Sequence, residues 1–287
     1  MPNSVPANKN SCARCTANMN KSTTGTVPIT LPSLSRYAGL WRLIVTVSVL
    51  LALWQAIVSV FAMPPFILPP PLLVLQKLIE NYPLLFHHAL ITLSEIVLGL
   101  LLGVSMGLLF ALQMLLFKPV RRWLLPVLVA SQAVPVFALA PVLMLWFGYG
   151  MSSKVIMAAL IIFFPVTTTC FDGLRHTPTG YLDLAHTMGA NRWRQLWQIR
   201  LPAALPTLAS GIRVAVVVAP IGAVVGEWVG SSGGLGYLML QSNARMQIAD
   251  MFAALLVLAL FSIGLYYLTD LLLKRFIPWH RESASRS

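Results

Sequence analysis

The stretch GLRHTPTGYLDLAHTMGANRWRQLWQIRLPAALP, residues 173–206, interrupts a chain that is otherwise strongly apolar. Before it runs the apolar block Val155–Phe171 and after it Thr207–Val229. Each is close to the length that crosses a hydrocarbon core roughly 30 Å thick at about 1.5 Å per residue. An Arg- and Trp-rich connection between two such blocks belongs at a membrane surface. Working outward, four further blocks appear: Leu40–Phe61, Leu90–Leu112, Leu124–Phe147 and Met251–Leu273. Together they predict an all-α membrane protein of about six transmembrane helices. Composition agrees, since 57% of the residues are hydrophobic, only 10% are charged, and the mean hydropathy is +0.79. A water-facing surface usually needs about 25% charged residues.

The formal charge of +12 reports topology rather than nucleic acid, because the basic residues lie between apolar blocks and no nucleic-acid motif accompanies them. Lys9, Arg14, Lys21, Arg36 and Arg42 precede or open the first block, and Lys118, Arg121 and Arg122 join the second to the third. Arg175, Arg192, Arg194, Arg200 and Arg213 join the fourth to the fifth, and Lys274, Arg275, Arg281 and Arg286 follow the sixth. These seventeen residues share one side, against Lys77, Lys154 and Arg245 on the other. The bias predicts that both termini are cytoplasmic.

Residues 1–35, rich in Asn, Ser, Thr and Pro, read as a disordered cytoplasmic tail, residues 36–280 as the transmembrane domain and residues 281–287 as a cytoplasmic C-terminal tail. The first apolar run starts too late and is too long for a signal peptide, and Met19 is an alternative start. Cys12 and Cys15 form a lone C-x-x-C without the further ligands a zinc site needs, and Cys170 sits in an apolar block. Between the first two blocks, Pro64, Pro65, Pro69, Pro70 and Pro71 exclude a helix, after which Leu72–Leu85 reads as an amphipathic interfacial helix.

Residues 173–206 carry their own punctuation. Thr177 is an N-cap with Pro178 at the first helical position. A helix through Leu182, Ala185 and Met188 stops at Gly189. Asn191 caps a second helix whose Trp193, Leu196 and Trp197 form one apolar stripe, which Pro202 and Pro206 end before the next span. Two short amphipathic helices at a membrane surface bury that stripe either in lipid headgroups or in a partner.

Asp183-Leu184-Ala185, then Gly189, Ile199, Leu201 and Pro202 at the intervals seen here, resemble the "EAA" loop of bacterial ABC importer permeases. Asp183 stands for the usual Glu, and Leu184 departs from the usual Ala. Ala140-Pro141, Trp146-Phe147-Gly148, Ser153-Lys154, Phe164-Pro165, Gly173, and Gly226-Glu227-Trp228 through Gly234-Leu235-Gly236-Tyr237 are similar to the nitrate, sulfonate and taurine branch. The resemblance covers roughly residues 40–280. It implies a type I importer permease fold, in which Asp183, Leu184, Ala185, Gly189, Ile199, Leu201 and Pro202 belong to a loop that docks on a cytoplasmic ABC ATPase dimer. ATP and Mg would be bound by that partner and no cofactor by this chain. A periplasmic binding protein would deliver the solute, and a second permease copy, most simply in a homodimer, would complete the pathway in the bacterial inner membrane. Gly226–Ser232 and Thr92–Glu95 look most like permeases for hydroxymethylpyrimidine, a thiamine precursor, with sulfonate, taurine or nitrate as alternatives and a secondary transporter as the more distant one.

Other features read less sharply. Gly233-Gly234-Leu235-Gly236 lacks the Lys and Ser/Thr of a phosphate loop and reads as an extracytoplasmic turn. Gly99, Gly103 and Gly107 form a small-residue face for a neighbouring helix. Glu95 and Glu227 are candidates for a substrate pathway because intramembrane charge is costly, whereas Arg213 and Asp270 read as snorkelling. His87 and His88 diverge on a helix and read as interfacial. No nucleophile–base or metal constellation is present, so the chain reads as a non-catalytic subunit.

Overall fold

The computed structural model describes residues 34–277, with side chains from Trp41 onward. The expectations for residues 1–33, including Cys12, Cys15 and Met19, and for the C-terminal tail lie outside the described residues. Backbone packing divides the described chain at Ala52 and Leu53. The first part is the beginning of helix α1 (Leu34–Val60), with exposed side chains from Trp41 to Ala52.

The second part holds the end of α1 and helices α2 (Pro71–Glu80), α3 (Tyr82–Leu116), α4 (Lys118–Gln132), α5 (Val136–Phe147) and α6 (Met151–Arg175). Then come α7 (Thr179–Thr187), α8 (Arg192–Gln195), α9 (Leu201–Gly230), α10 (Leu235–Ala244) and α11 (Ile248–Phe276). Among the described residues five helices are long and apolar enough to cross a membrane, α1 included, and α4 with α5 forms a sixth candidate bent by 105°.

Its centre is a three-helix layer in which α6 lies between α3 and α9. Small residues set the spacing. A Cβ on Gly99 would stand 2.6 Å from the Ala158 Cβ, and one on Gly222 would stand 2.7 Å from the Ala158 Cα. Cβ atoms on Gly103 and Gly107 would meet Ile162 and Val166 at 2.8 Å. The glycine face of α3 therefore packs on α6, as its spacing predicts, because lipid supplies no hydrophobic drive and close backbone approach supplies the van der Waals contact. Toward the other end of this layer the core is filled by larger side chains, among them Met114, Phe171, Leu174 and Leu208. A second cluster, with Val74, Leu85, Ala89, Leu235, Leu238 and Ala253, joins α2, α3, α10 and α11.

Several boundaries differ from the sequence reading. Most helices extend beyond their apolar blocks, α3 running Tyr82–Leu116 where the block is Leu90–Leu112. The block Leu124–Phe147 is not one straight span: Pro135, with no N–H to donate, sits extended between α4 and α5. Leu72–Leu85 is not one helix, since α2 ends at Glu80 and the long α3 already begins at Tyr82. Thr177 does not cap α7; its hydroxyl donates to the Leu174 carbonyl at 3.3 Å, and Pro178 takes the cap position.

Candidate functional site

The segment between α6 and α9 is a pair of short helices on a rigid hinge. The amide of Ala190 donates to the Ala185 carbonyl at 2.9 Å and that of Gly189 to His186 at 3.0 Å. This 6→1 and 5→2 pairing is a Schellman turn, which needs a left-handed residue. Gly189 supplies it at φ +77°. Space is not the constraint, because a Cβ there would meet nothing within 4 Å. Asn191 caps α8 as expected, its side chain accepting from the Arg194 amide at 2.9 Å.

Pro202 does not stop the second helix. The chain widens into a π-helical turn, Leu196–Arg200, and runs straight into α9. Pro202 lacks the N–H that would bond the Gln198 carbonyl. The wider turn changes the register, so the Leu201 amide donates to the Leu196 carbonyl instead. Ala185 and Leu196 are buried against the bundle, while Asp183, Leu184, Met188, Trp193 and Trp197 are exposed. The predicted Trp193–Leu196–Trp197 stripe is thus divided, with Leu196 inward and both tryptophans outward. Ile199, Leu201 and Pro202 are half-buried where the pair joins α9.

At the opposite end of the three-helix layer, charge is enclosed. Glu95 of α3 and Glu227 of α9 are both fully buried at this end. Lys154, one turn into α6, approaches Glu95 Oε1 to 2.5 Å, and its Nζ also donates to Ser231 Oγ at 2.9 Å. Glu227 Oε1 accepts from the Thr92 hydroxyl at 2.6 Å, and Oε2 accepts from the amides of Gly236 at 2.5 Å and Tyr237 at 3.3 Å. Those amides open α10, whose dipole places partial positive charge at that end. Two carboxyls are therefore balanced by one ammonium and one helix terminus, as buried charge requires.

The glycine run is what lets this happen. Gly234 is at φ +114°, and a Cβ on either Gly234 or Gly236 would collide with the Glu227 carboxyl. The Gly234 amide donates to His88 Nδ1 at 2.9 Å and the Leu235 amide to Thr92 Oγ1 at 2.8 Å. His88, read as an interfacial residue, is a hydrogen-bonding partner of this turn. Arg213 and Asp270 are paired rather than snorkelling apart: Arg213 Nε lies 2.9 Å from Asp270 Oδ1, and Lys274 lies 2.6 Å from Oδ2. Lys154 stands one residue outside the apolar block Val155–Phe171 and reads there as a loop charge, so no local pattern signals its pairing with Glu95.

Residues 99–282 match the family described as "Binding-protein-dependent transport system inner membrane component". The chain belongs to this family.

This permease, the membrane subunit of an ABC importer, is 57% identical over 80% of its length to a Haemophilus influenzae protein named "Probable ABC transporter permease protein", covering 94% of it. It is 36% identical over 81% of its length to the formylaminopyrimidine transport permease protein of Halalkalibacterium halodurans, covering 93% of it. A Bacillus subtilis permease named for aliphatic sulfonates is 31% identical over 86% of this chain and 90% of that one. The fold is that of solved ABC importer permeases: a crystal structure of an amino acid ABC transporter with histidines matches 71% of this permease and 98% of that chain, with a TM-score of 0.57 at 17% identity. The expected branch and all-α membrane architecture both hold.

Proposed function

We propose that this permease is the non-catalytic translocation subunit of an importer for a small polar heteroaromatic solute, a hydroxymethylpyrimidine-type thiamine precursor. An ABC ATPase dimer on the cytoplasmic side binds ATP and Mg and docks on the α7–α8 pair. A periplasmic binding protein delivers the solute to the opposite end, and two copies of the permease enclose the pathway in the inner membrane, with both termini cytoplasmic. The observation that carries the motor reading is the exposed face of Leu184, Met188, Trp193 and Trp197, held on a Schellman hinge and continuous through the π turn with α9. Force applied there enters a transmembrane helix without crossing a flexible link. A heteroaromatic solute is supported by the 36% identity to the formylaminopyrimidine permease and by 38% identity to a riboflavin transport permease of Chloroflexus aurantiacus. The choice of a pyrimidine rests on the likeness of Gly226–Ser232 and Thr92–Glu95 to hydroxymethylpyrimidine permeases. Glu95 and Glu227, placed beside the pathway by this reading, reach it only on rearrangement of α3 against α9, since both are enclosed in the conformation described.

The test is reconstitution of the permease in nanodiscs with its ATPase and binding protein. ATP hydrolysis should rise with binding protein loaded with hydroxymethylpyrimidine and stay low with taurine, an alkanesulfonate or nitrate. Solute uptake that proceeds with no ATPase attached would overturn the importer reading in favour of a secondary transporter. Stimulation by a sulfonate instead would overturn only the choice of solute.

A further inference from the structure

The first four amides of an α-helix have no partner within the helix. In α10 all four are bound by side chains of other helices. Gly234 donates to His88 and Leu235 to Thr92, both on α3, while Gly236 and Tyr237 donate to Glu227 on α9. The helix carries no side-chain cap of its own. Its far end is different. There Met246 is exposed, at φ +60°, and Arg245 and Gln247 border a polar cavity of about 320 Å³ shared with Lys77, Asn81 and Asp250. One end of α10 is thus presented outward and the other is fastened to the transport core.

We infer that Glu227 is the positioning residue that passes engagement at the outward end of α10 into the transport helices. This deepens the importer reading and rests on it. The two oxygens of Glu227 serve different helices, Oε1 bonding α3 through Thr92 and Oε2 bonding α10. A shift of α3 against α9 changes the Oε1 bond directly, and it loads the Oε2 bond because the start of α10 is also held to α3 through His88 and Thr92. From Glu227 the 30-residue α9, with Pro206 and Pro220 inside it, leads as one helix to Leu201 and the π turn behind the α7–α8 pair, a path of roughly 40 Å at about 1.5 Å per residue. The carboxylate sits where α3, α9 and α10 meet through polar bonds.

Two measurements test it. In hydrogen–deuterium exchange on the intact permease–ATPase complex, Thr92→Val and Glu227→Gln should speed exchange in the first turn of α10 about fivefold, as expected for loss of a bond of ordinary net strength. Thr92→Ser, which keeps the hydroxyl, should not. In the second measurement, the ratio of ATP hydrolysis with loaded binding protein to hydrolysis without it should fall about fivefold or more in Thr92→Val and Glu227→Gln. Thr92→Ser should retain it. Faster exchange with an unchanged ratio overturns the inference, and so does unchanged exchange. If the wild-type complex shows no stimulation at all, it is the importer reading that has failed, and the exchange result still reports on the cap. Thr92→Val replaces only the hydroxyl by a methyl group, so it serves if Glu227→Gln does not assemble.

Discussion

Lys154 of α6 and Glu95 of α3 form an ion pair at 2.5 Å, with side-chain exposures of 8% and 0%. A buried pair of this kind adds little net stability compared with apolar packing, but removing one partner strands the other charge. That asymmetry makes the pair a sensitive test of the fold.

Lys154→Met should destabilise the permease by about 3–5 kcal/mol, because it leaves Glu95 enclosed without a counter-charge. The double variant Lys154→Met/Glu95→Gln should recover most of the loss. Thermal unfolding in one fixed detergent distinguishes the two. A single variant as stable as wild type would show that the pair carries no weight.

Gly103→Ala should cost about 1–3 kcal/mol, since its Cβ would fall 2.8 Å from the Ala159 carbonyl oxygen and from Ile162. Gly264→Ala should be tolerated, because a Cβ there would meet nothing within 4 Å. Comparing the two by thermal shift separates helix packing from helix propensity, which favours alanine in both.

Gly189→Ala forces an alanine to φ +77°, at about 1 kcal/mol or more. Gly180→Ala, inside α7 with open space around it, should instead be neutral or stabilising by about 0.4–1 kcal/mol. The expected result is weaker binding-protein stimulation of ATP hydrolysis in the first variant only. Equal behaviour of both would argue against a rigid turn at Gly189.

Leu184→Glu and Trp197→Glu place charge on the exposed face of the α7–α8 pair without disturbing buried Ala185 or Leu196. Co-purification of the ATPase should be lost or fall at least about tenfold, the scale set by hot-spot residues. Insertion and thermal stability of the permease should not change. Retention of the ATPase by both variants would move the docking face elsewhere.

Much of this permease was legible in its residues. Leu40–Phe61 and the later blocks located the spans, because an apolar run of about 20 residues has few alternatives to crossing a bilayer. The Gly189 stop and the Asn191 cap were readable for a local reason, since a left-handed turn and an orphan amide each demand particular residue types. The glycine face of α3 was readable as a packing surface from its four-residue period. The 105° bend near Pro135 and the π turn before Pro202 were less so. A proline shows that a hydrogen bond is missing but not how the chain replaces it.

By itself the sequence determined that the chain crosses a membrane as helices, and which of its connections carries a stiff, punctuated pair of short ones, because hydropathy and capping act over a few neighbouring residues. Only the tertiary structure decided that Glu95, Lys154, Glu227, Thr92 and the Gly233–Gly236 turn form one enclosed network. Those groups come from α3, α6, α9 and the start of α10, between 59 and 141 positions from Glu95 to Lys154 and Gly236. Buried charges find their partners through the packing of separate helices, and no local pattern records which helices those will be.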